Sequence, residues 1–147
     1  MIFFVGEHPR QLDERGRFIL PAKIRDKLSG TFYVTMAPLE HCLHIYPEEE
    51  WEIIAQKFSQ LPAGTDRKVA SLRRKIFGNA IECIMDKQGR VSLNQTLMHY
   101  AGIDKDIVLV GANTILEIWD AEEWESMNTD MNDESVIEGI RQYDINI

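Results

Sequence analysis

The chain of 147 residues contains its own copy. Sliding it by 73 positions lays Asp13, Gly16, Arg17 and Leu20 on Asp86, Gly89, Arg90 and Leu93, and Phe4 on Phe77. In the same register "CLHIYPEEEWE" (42–52) falls on "ILEIWDAEEWE" (115–125), with Leu, Ile and Glu-Glu-Trp-Glu identical. One register held without a gap marks a duplicated unit, and repetition constrains the fold more than any composition does. A unit of roughly 45 residues built from short strands is too small to close a core alone. The two copies must therefore pack on each other as a pseudo-dimer.

The repeat divides the chain into a first copy (1–54), a connecting helical segment (55–78), a second copy (79–127) and an acidic tail (128–147). In each copy a short strand enters, Asp-x-x-Gly turns it, and a second strand follows, "RFIL" or "RVSL". "FIL" supplies strand and core. A short helix comes next. Pro21 suits the first turn of one, with Ile24 and Leu28 on its inner face. Asn94 can cap the other and Gly102 can end it. Two strands follow, "TFYVTM" with "CLHIY" and "DIVLV" with "TILEIW". A Glu-rich helix start then meets the positive end of the helix dipole. Trp51, Ile54 and Phe58 make the apolar stripe of the first such helix. The connecting segment "TDRKVASLRRKIFG" reads as a helix capped by Thr65 and ended by Gly78, with Val69, Leu72 and Ile76 on one face. Past Trp124 the weak patterning is that of a mobile tail.

Asp-x-x-Gly is first a turn. A type I turn favours Asp at its first position and Gly at its fourth. Asp13 and Asp86 can accept backbone N–H groups, and Gly16 and Gly89 can take positive φ. The turn does not explain the arginine after each glycine. Alternation puts Val91 and Leu93 on one strand face and Arg90 with Ser92 on the other. Arg90, and Arg17 likewise, should point outward beside a rigid turn. Arg10, Arg15, Lys23 and Arg25 lie near Arg17 in sequence, and Lys87 lies near Arg90.

The net charge of −8 is no bar to a polyanionic partner. Eight acids and no base lie between Asp120 and Glu138, so the remainder sums to zero. The first thirty residues hold six bases against four acids, and local charge decides where a polyanion lands. No apolar run approaches the length that spans a membrane, and "MIFFVG" is too short for a signal-peptide core. Cys42 and Cys83 suit a reducing compartment. The expected location is cytoplasmic.

"LDERGRFILPAKIRDKL", "CLHIYPEEEWE", "ECIMDKQGR", "YAGIDKDIVLVG" and "LEIWDAEEWE" together resemble the MraZ family of bacterial transcription factors, encoded at the head of the division and cell-wall gene cluster. Their repeats belong to the SpoVT-AbrB group of DNA-binding domains. The resemblance covers roughly residues 1–127, with both Asp-x-x-Gly-Arg motifs intact; Asn94 replaces the Pro21 of the first copy. It implies an α+β fold, a swapped-hairpin (AbrB-like) double-split β-barrel formed by both repeats, with peripheral helices. It also implies a ring-like homo-oligomer of octamer type and binding of double-stranded DNA at direct repeats in the promoter of its own cluster. Basic residues matching Arg10, Arg17 and Arg25 contact DNA in the wider AbrB group. The expected DNA-facing set is Arg17 first, then Arg15, Arg10, Lys23 and Arg25, with Arg90 and Lys87 from the second copy. The higher basic count makes the first copy the stronger half.

Other readings compete. "HCLH" (41–44) hints at metal, but too few ligands converge in the sequence, and no metal or cofactor is expected. The paired carboxylates already serve turns, and no nucleophilic triad stands out, so the chain is not read as an enzyme. Arg67, Lys68, Arg73, Arg74 and Lys75 lie outside the duplicated motif and read as a solvated face or subunit interface. Trp51 and Trp124 are core anchors rather than a stacking platform. The alternative function is a protein–protein scaffold or antitoxin-like partner.

Overall fold

A computed structural model describes residues 2–28, 30–129 and 133–147. In chain order the elements are β1 (Glu7–Gln11), β2 (Arg17–Ile19), α1 (Ala22–Lys27), β3 (Thr31–Met36), β4 (Leu43–Pro47), α2 (Glu48–Ser59), α3 (Arg67–Gly78), β5 (Ile81–Ile84), β6 (Arg90–Ser92), α4 (Gln95–Tyr100), β7 (Asp106–Ala112), β8 (Ile115–Asp120), α5 (Ala121–Thr129) and α6 (Asp133–Gln142). The architecture is α+β and every strand pairing is antiparallel. Six strands form one open sheet, in the order β1-β7-β8-β4-β3-β5, and β2 pairs with β6 as a separate ribbon. These strands do not close into a barrel.

The pairing partners show why neither copy stands alone. β1 pairs with β7 and β5 pairs with β3, so each copy's first strand is completed by the other copy. In the ribbon Phe18 lies opposite Val91, and at the sheet centre His44 lies opposite Glu117. Both are pairs of repeat-equivalent positions, so a pseudo-two-fold axis runs through ribbon and sheet. Two crossed bonds repeat the symmetry: Leu20 N–H donates to the Gly89 carbonyl and Leu93 N–H to the Gly16 carbonyl, both at 2.9 Å.

Strand alternation gives the large sheet two covered faces. On one face Phe32, Val34, Leu43, Ile45, Leu109, Leu116 and Ile118 join Phe18, Leu20, Val91 and Leu93 of the ribbon side in the main core. Ile24 and Leu28 of the α1 segment close this core, as expected, together with Leu97 of α4. On the other face Tyr33 stacks on Trp51 of α2, at 4.8 Å between ring centroids, and the buried Thr35 hydroxyl donates to the Ile76 carbonyl of α3. Phe77 then bridges Trp51 and Phe58. Trp119 and Trp124 meet on the same side, in a small second core with Ala37 and Cys42. Trp51 and Trp124 are half-buried anchors that hold α2 and α5 to the sheet.

Several local expectations shift. The side chain that caps α3 is Asp66, which accepts the Lys68 N–H, not Thr65. Asn79 follows Gly78 as C-cap. Leu72 is exposed, because α3 turns Ala70, Ile76 and Phe77 inward. Phe4 and Phe77 share a repeat position but not an environment: Phe4 sits in the main core and Phe77 in the aromatic cluster. Of the tail over 128–147, residues 130–132 lie outside the described residues, and 133–142 form the helix α6.

The two short helices start differently. Asn94 Oδ1 accepts the Leu97 N–H at 2.9 Å, whereas Pro21 offers no side-chain cap. Gly102, at φ +62°, ends the capped helix. Asn94→Ala is expected to cost about 1 kcal/mol, read as a lower urea midpoint with an unchanged slope.

Candidate nucleic-acid interface

Each Asp-x-x-Gly turn is built around one carboxylate. Asp13 Oδ1 accepts the N–H groups of Arg15 and Arg17, both at 2.9 Å, and Gly16 N–H donates to the Asp13 carbonyl at 3.0 Å. Asp86 repeats this with Gln88, Arg90 and Gly89. Gly16 and Gly89 have φ of +72° and +76°, where a side chain is strained. The turn chemistry is that expected from the sequence.

The arginines are not left over from the turn. Arg17 Nε donates to Asp13 Oδ2 at 2.7 Å, and Arg90 Nε to Asp86 Oδ2 at 2.6 Å. The Arg17 backbone N–H, then its guanidinium and the Arg15 N–H, hold the Asp13 carboxyl below the ordinary aspartate value. Asp86 is lowered in the same way by the Arg90 N–H, the Arg90 guanidinium and the Gln88 N–H. Both carboxylates are therefore ionised at neutral pH and orient their arginines. Each takes only the Nε edge, which leaves the Nη edge of the fork for another acceptor.

The ribbon sets the two forks on one surface. Phe18 and Val91 point into the core, so Arg17, Ile19, Arg90 and Ser92 form the outer face. Arg17 lies opposite Ser92 and Ile19 opposite Arg90, which places the arginines diagonally about the pseudo-two-fold axis. Ile19 is 46% exposed and is not core, contrary to the reading of "FIL". Strict alternation from Phe18 to Leu20 was the signal that could have found it.

The remaining basic residues distribute differently from their sequence neighbourhood. Arg15 and Lys87 are exposed on the two turns, and Lys23 is exposed on α1. Arg10 Nε donates to the Ile19 carbonyl at 2.9 Å, and Arg10 Nη1 to that of Pro9 at 2.7 Å. Arg25 Nε donates to the Leu20 carbonyl, and its side chain fills the space where a Cβ on Gly89 would stand. Met98, one repeat on from Arg25, approaches Gly16 in the same way. The short helix of each copy thus serves the turn of the other. Arg25 joins Lys87 and Arg90, so the basic count around the two turns is more even than chain order suggests.

α3 stands elsewhere. It packs on the sheet face that carries Tyr33 and Thr35, opposite the core beneath the ribbon. Its exposed Arg73 and Arg74 line an apolar groove with Phe58, Leu61 and Phe77, and Lys75 lies over the Tyr100 ring. Arg73 and Arg74 thus sit on the sheet face opposite the ribbon core, while Lys75 reaches across to α4.

Known proteins share this sequence over most of its length. The family model described as "MraZ protein, putative antitoxin-like" matches residues 3–74 and 76–142. A transcriptional regulator MraZ of Clostridium tetani is 43% identical over 125 residues, covering 85% of this chain and 87% of its own. That of Lachnoclostridium phytofermentans is 41% identical over 131 residues, covering 89% and 91%. That of Natranaerobius thermophilus is 38% identical over 144 residues, covering 97% and 99%. The likeness therefore continues past residue 127, where the quoted motifs stopped, into the acidic tail. With both copies matched and nearly the whole length shared, the chain belongs to the MraZ family.

Proposed function

We propose that this chain is a sequence-specific DNA-binding transcriptional regulator acting at direct repeats in the promoter of its own division and cell-wall cluster. The observation that carries this reading is the pair of arginine forks on the outer face of the β2–β6 ribbon, each oriented by its turn carboxylate. Relatives named transcriptional regulators support it. A two-stranded ribbon fits the DNA major groove, and a guanidinium edge suits guanine O6 and N7 or a phosphate. Arg17 and Arg90 read or clamp, while Arg15, Lys87, Lys23, Arg25 and Arg10 supply the surrounding positive field.

The two repeats, over 1–54 and 79–127, act as one module. The exchanged pairings β1–β7 and β5–β3 support a swapped-hairpin, double-split arrangement in which ribbon and sheet are the two parts. Copies of the chain assemble into a ring of octamer type, which engages successive boxes and raises affinity by avidity. The protein works in the cytoplasm at the nucleoid, without a cofactor and without catalysis. The family description also mentions an antitoxin-like character, which motivates a protein-binding scaffold as the second reading.

Footprinting on the DNA upstream of the gene decides between them. The regulator reading expects regularly spaced protection over direct repeats, lost at high salt. A flat footprint at low salt, together with a stoichiometric protein partner on purification, would favour the scaffold.

A further inference from the structure

The pseudo-two-fold axis that joins the copies also gathers three ligand-type side chains on the face of the sheet away from the ribbon. We propose that Cys42, His44 and Glu117 form a binding site for a divalent transition ion of the zinc type, with Cys42 Sγ, His44 Nε2 and one Glu117 carboxylate oxygen as ligands. Their ligand atoms all lie within 4.8 Å of one another. A tetrahedral ion holds such atoms roughly 3.3–3.7 Å apart, so small side-chain rotations complete the set. Sulfur, imidazole and carboxylate together suit zinc or cobalt and leave one position for water.

The outer bonds are those of a ligand set. Tyr46 Oη meets His44 Nδ1 at 3.1 Å, which turns Nε2 toward Glu117. Trp119 Nε1 donates to Glu117 Oε1 at 3.0 Å, which leaves Oε2 toward His44. Both ligands are thus oriented by partners on their far side, as metal ligands commonly are. Between them the contact is slack: His44 Nε2 and Glu117 Oε2 stand 3.5 Å apart, long for a hydrogen bond. Cys42 is fully buried, and the His44 and Glu117 side chains are 14% and 19% exposed, so an ion enters from their side. Ligation by Cys42 requires the ion to displace the thiol proton, which passes to solvent.

The sequence set too few ligands side by side to suggest an ion, and it placed His44 and Glu117 at equivalent positions of the repeat. That same equivalence, in an antiparallel pair across the axis, is what sets them face to face.

Titration of the full-length protein with cobalt(II) tests this, with equilibrium dialysis against zinc as a second readout. The expected results are one equivalent bound per chain, a sulfur-to-cobalt charge-transfer band, and release of one proton per ion. Cys42→Ser should abolish the band, and His44→Gln, at a partly exposed position, should weaken binding at least about 10-fold without unfolding the chain. Cys83→Ser should leave both unchanged. No bound equivalent in the folded wild type would overturn the proposal, as would a band that survives Cys42→Ser or disappears with Cys83→Ser.

Discussion

A chain carrying Arg17→Ala and Arg90→Ala together is expected to lose at least about 30-fold in affinity for its promoter DNA, read by anisotropy at one fixed salt concentration. A well-placed arginine contact with a base edge is worth about 1–3 kcal/mol, so two per subunit amount to about 2–6 kcal/mol. If copies assemble as proposed, the loss compounds, because each copy would contact DNA through the same pair. The fold should survive: both side chains lie on the outer ribbon face, and each turn carboxylate keeps its two backbone N–H donors. Undiminished binding by the folded double variant would sink the site assignment. The single variants report on symmetry. With Arg25 beside the second turn, Arg17→Ala and Arg90→Ala should cost similar amounts. Arg73→Ala with Arg74→Ala is the control and should change affinity by less than about 2-fold, since α3 lies behind the sheet. A large loss there, with the oligomer intact, would move the DNA contact to α3.

Phe18→Ala is expected to destabilise the chain by about 3–5 kcal/mol, measured by urea unfolding. Phe18 is 1% exposed, faces Val91 on the pseudo-two-fold axis, and packs in the main core. A ribbon of two three-residue strands has little stability of its own, so its inward side chains hold it to the sheet. The cavity would open where both copies meet, and neither could relax into it alone. The neighbouring Ile19→Ala should cost about 0.5 kcal/mol or less, because Ile19 points to solvent. A larger cost for Ile19→Ala than for Phe18→Ala would mean that the ribbon presents its faces the other way round. DNA affinity should follow stability for Phe18→Ala, since both arginine forks are placed by the ribbon that Phe18 anchors.

Much of this was legible along the chain. Asp13 to Gly16 and Asp86 to Gly89 are turns whose chemistry is contained in four residues. Asn94 caps its helix through a bond three residues away. The strands of each copy, and the outward placement of Arg17 and Arg90, follow from alternation. Reading failed where a decision was not local. Thr65 lost the cap to its neighbour Asp66, and Leu72 lost its inward place when α3 settled against Trp51 and Thr35. Ile19 was counted as core because three apolar residues in a row hide which one faces out.

The sequence by itself determined that the chain is a duplicated unit with two rigid turns, each followed by an arginine, and that neither copy could close a core alone. Only the tertiary structure decided how the copies interlock. It paired β1 with β7 and β5 with β3, brought Arg25 to the turn of the other copy, and set His44 against Glu117. These partners lie some 50 to 100 residues apart, so no local propensity encodes them. They follow from burying two incomplete apolar faces in one shared core, a condition that only the folded chain as a whole can satisfy.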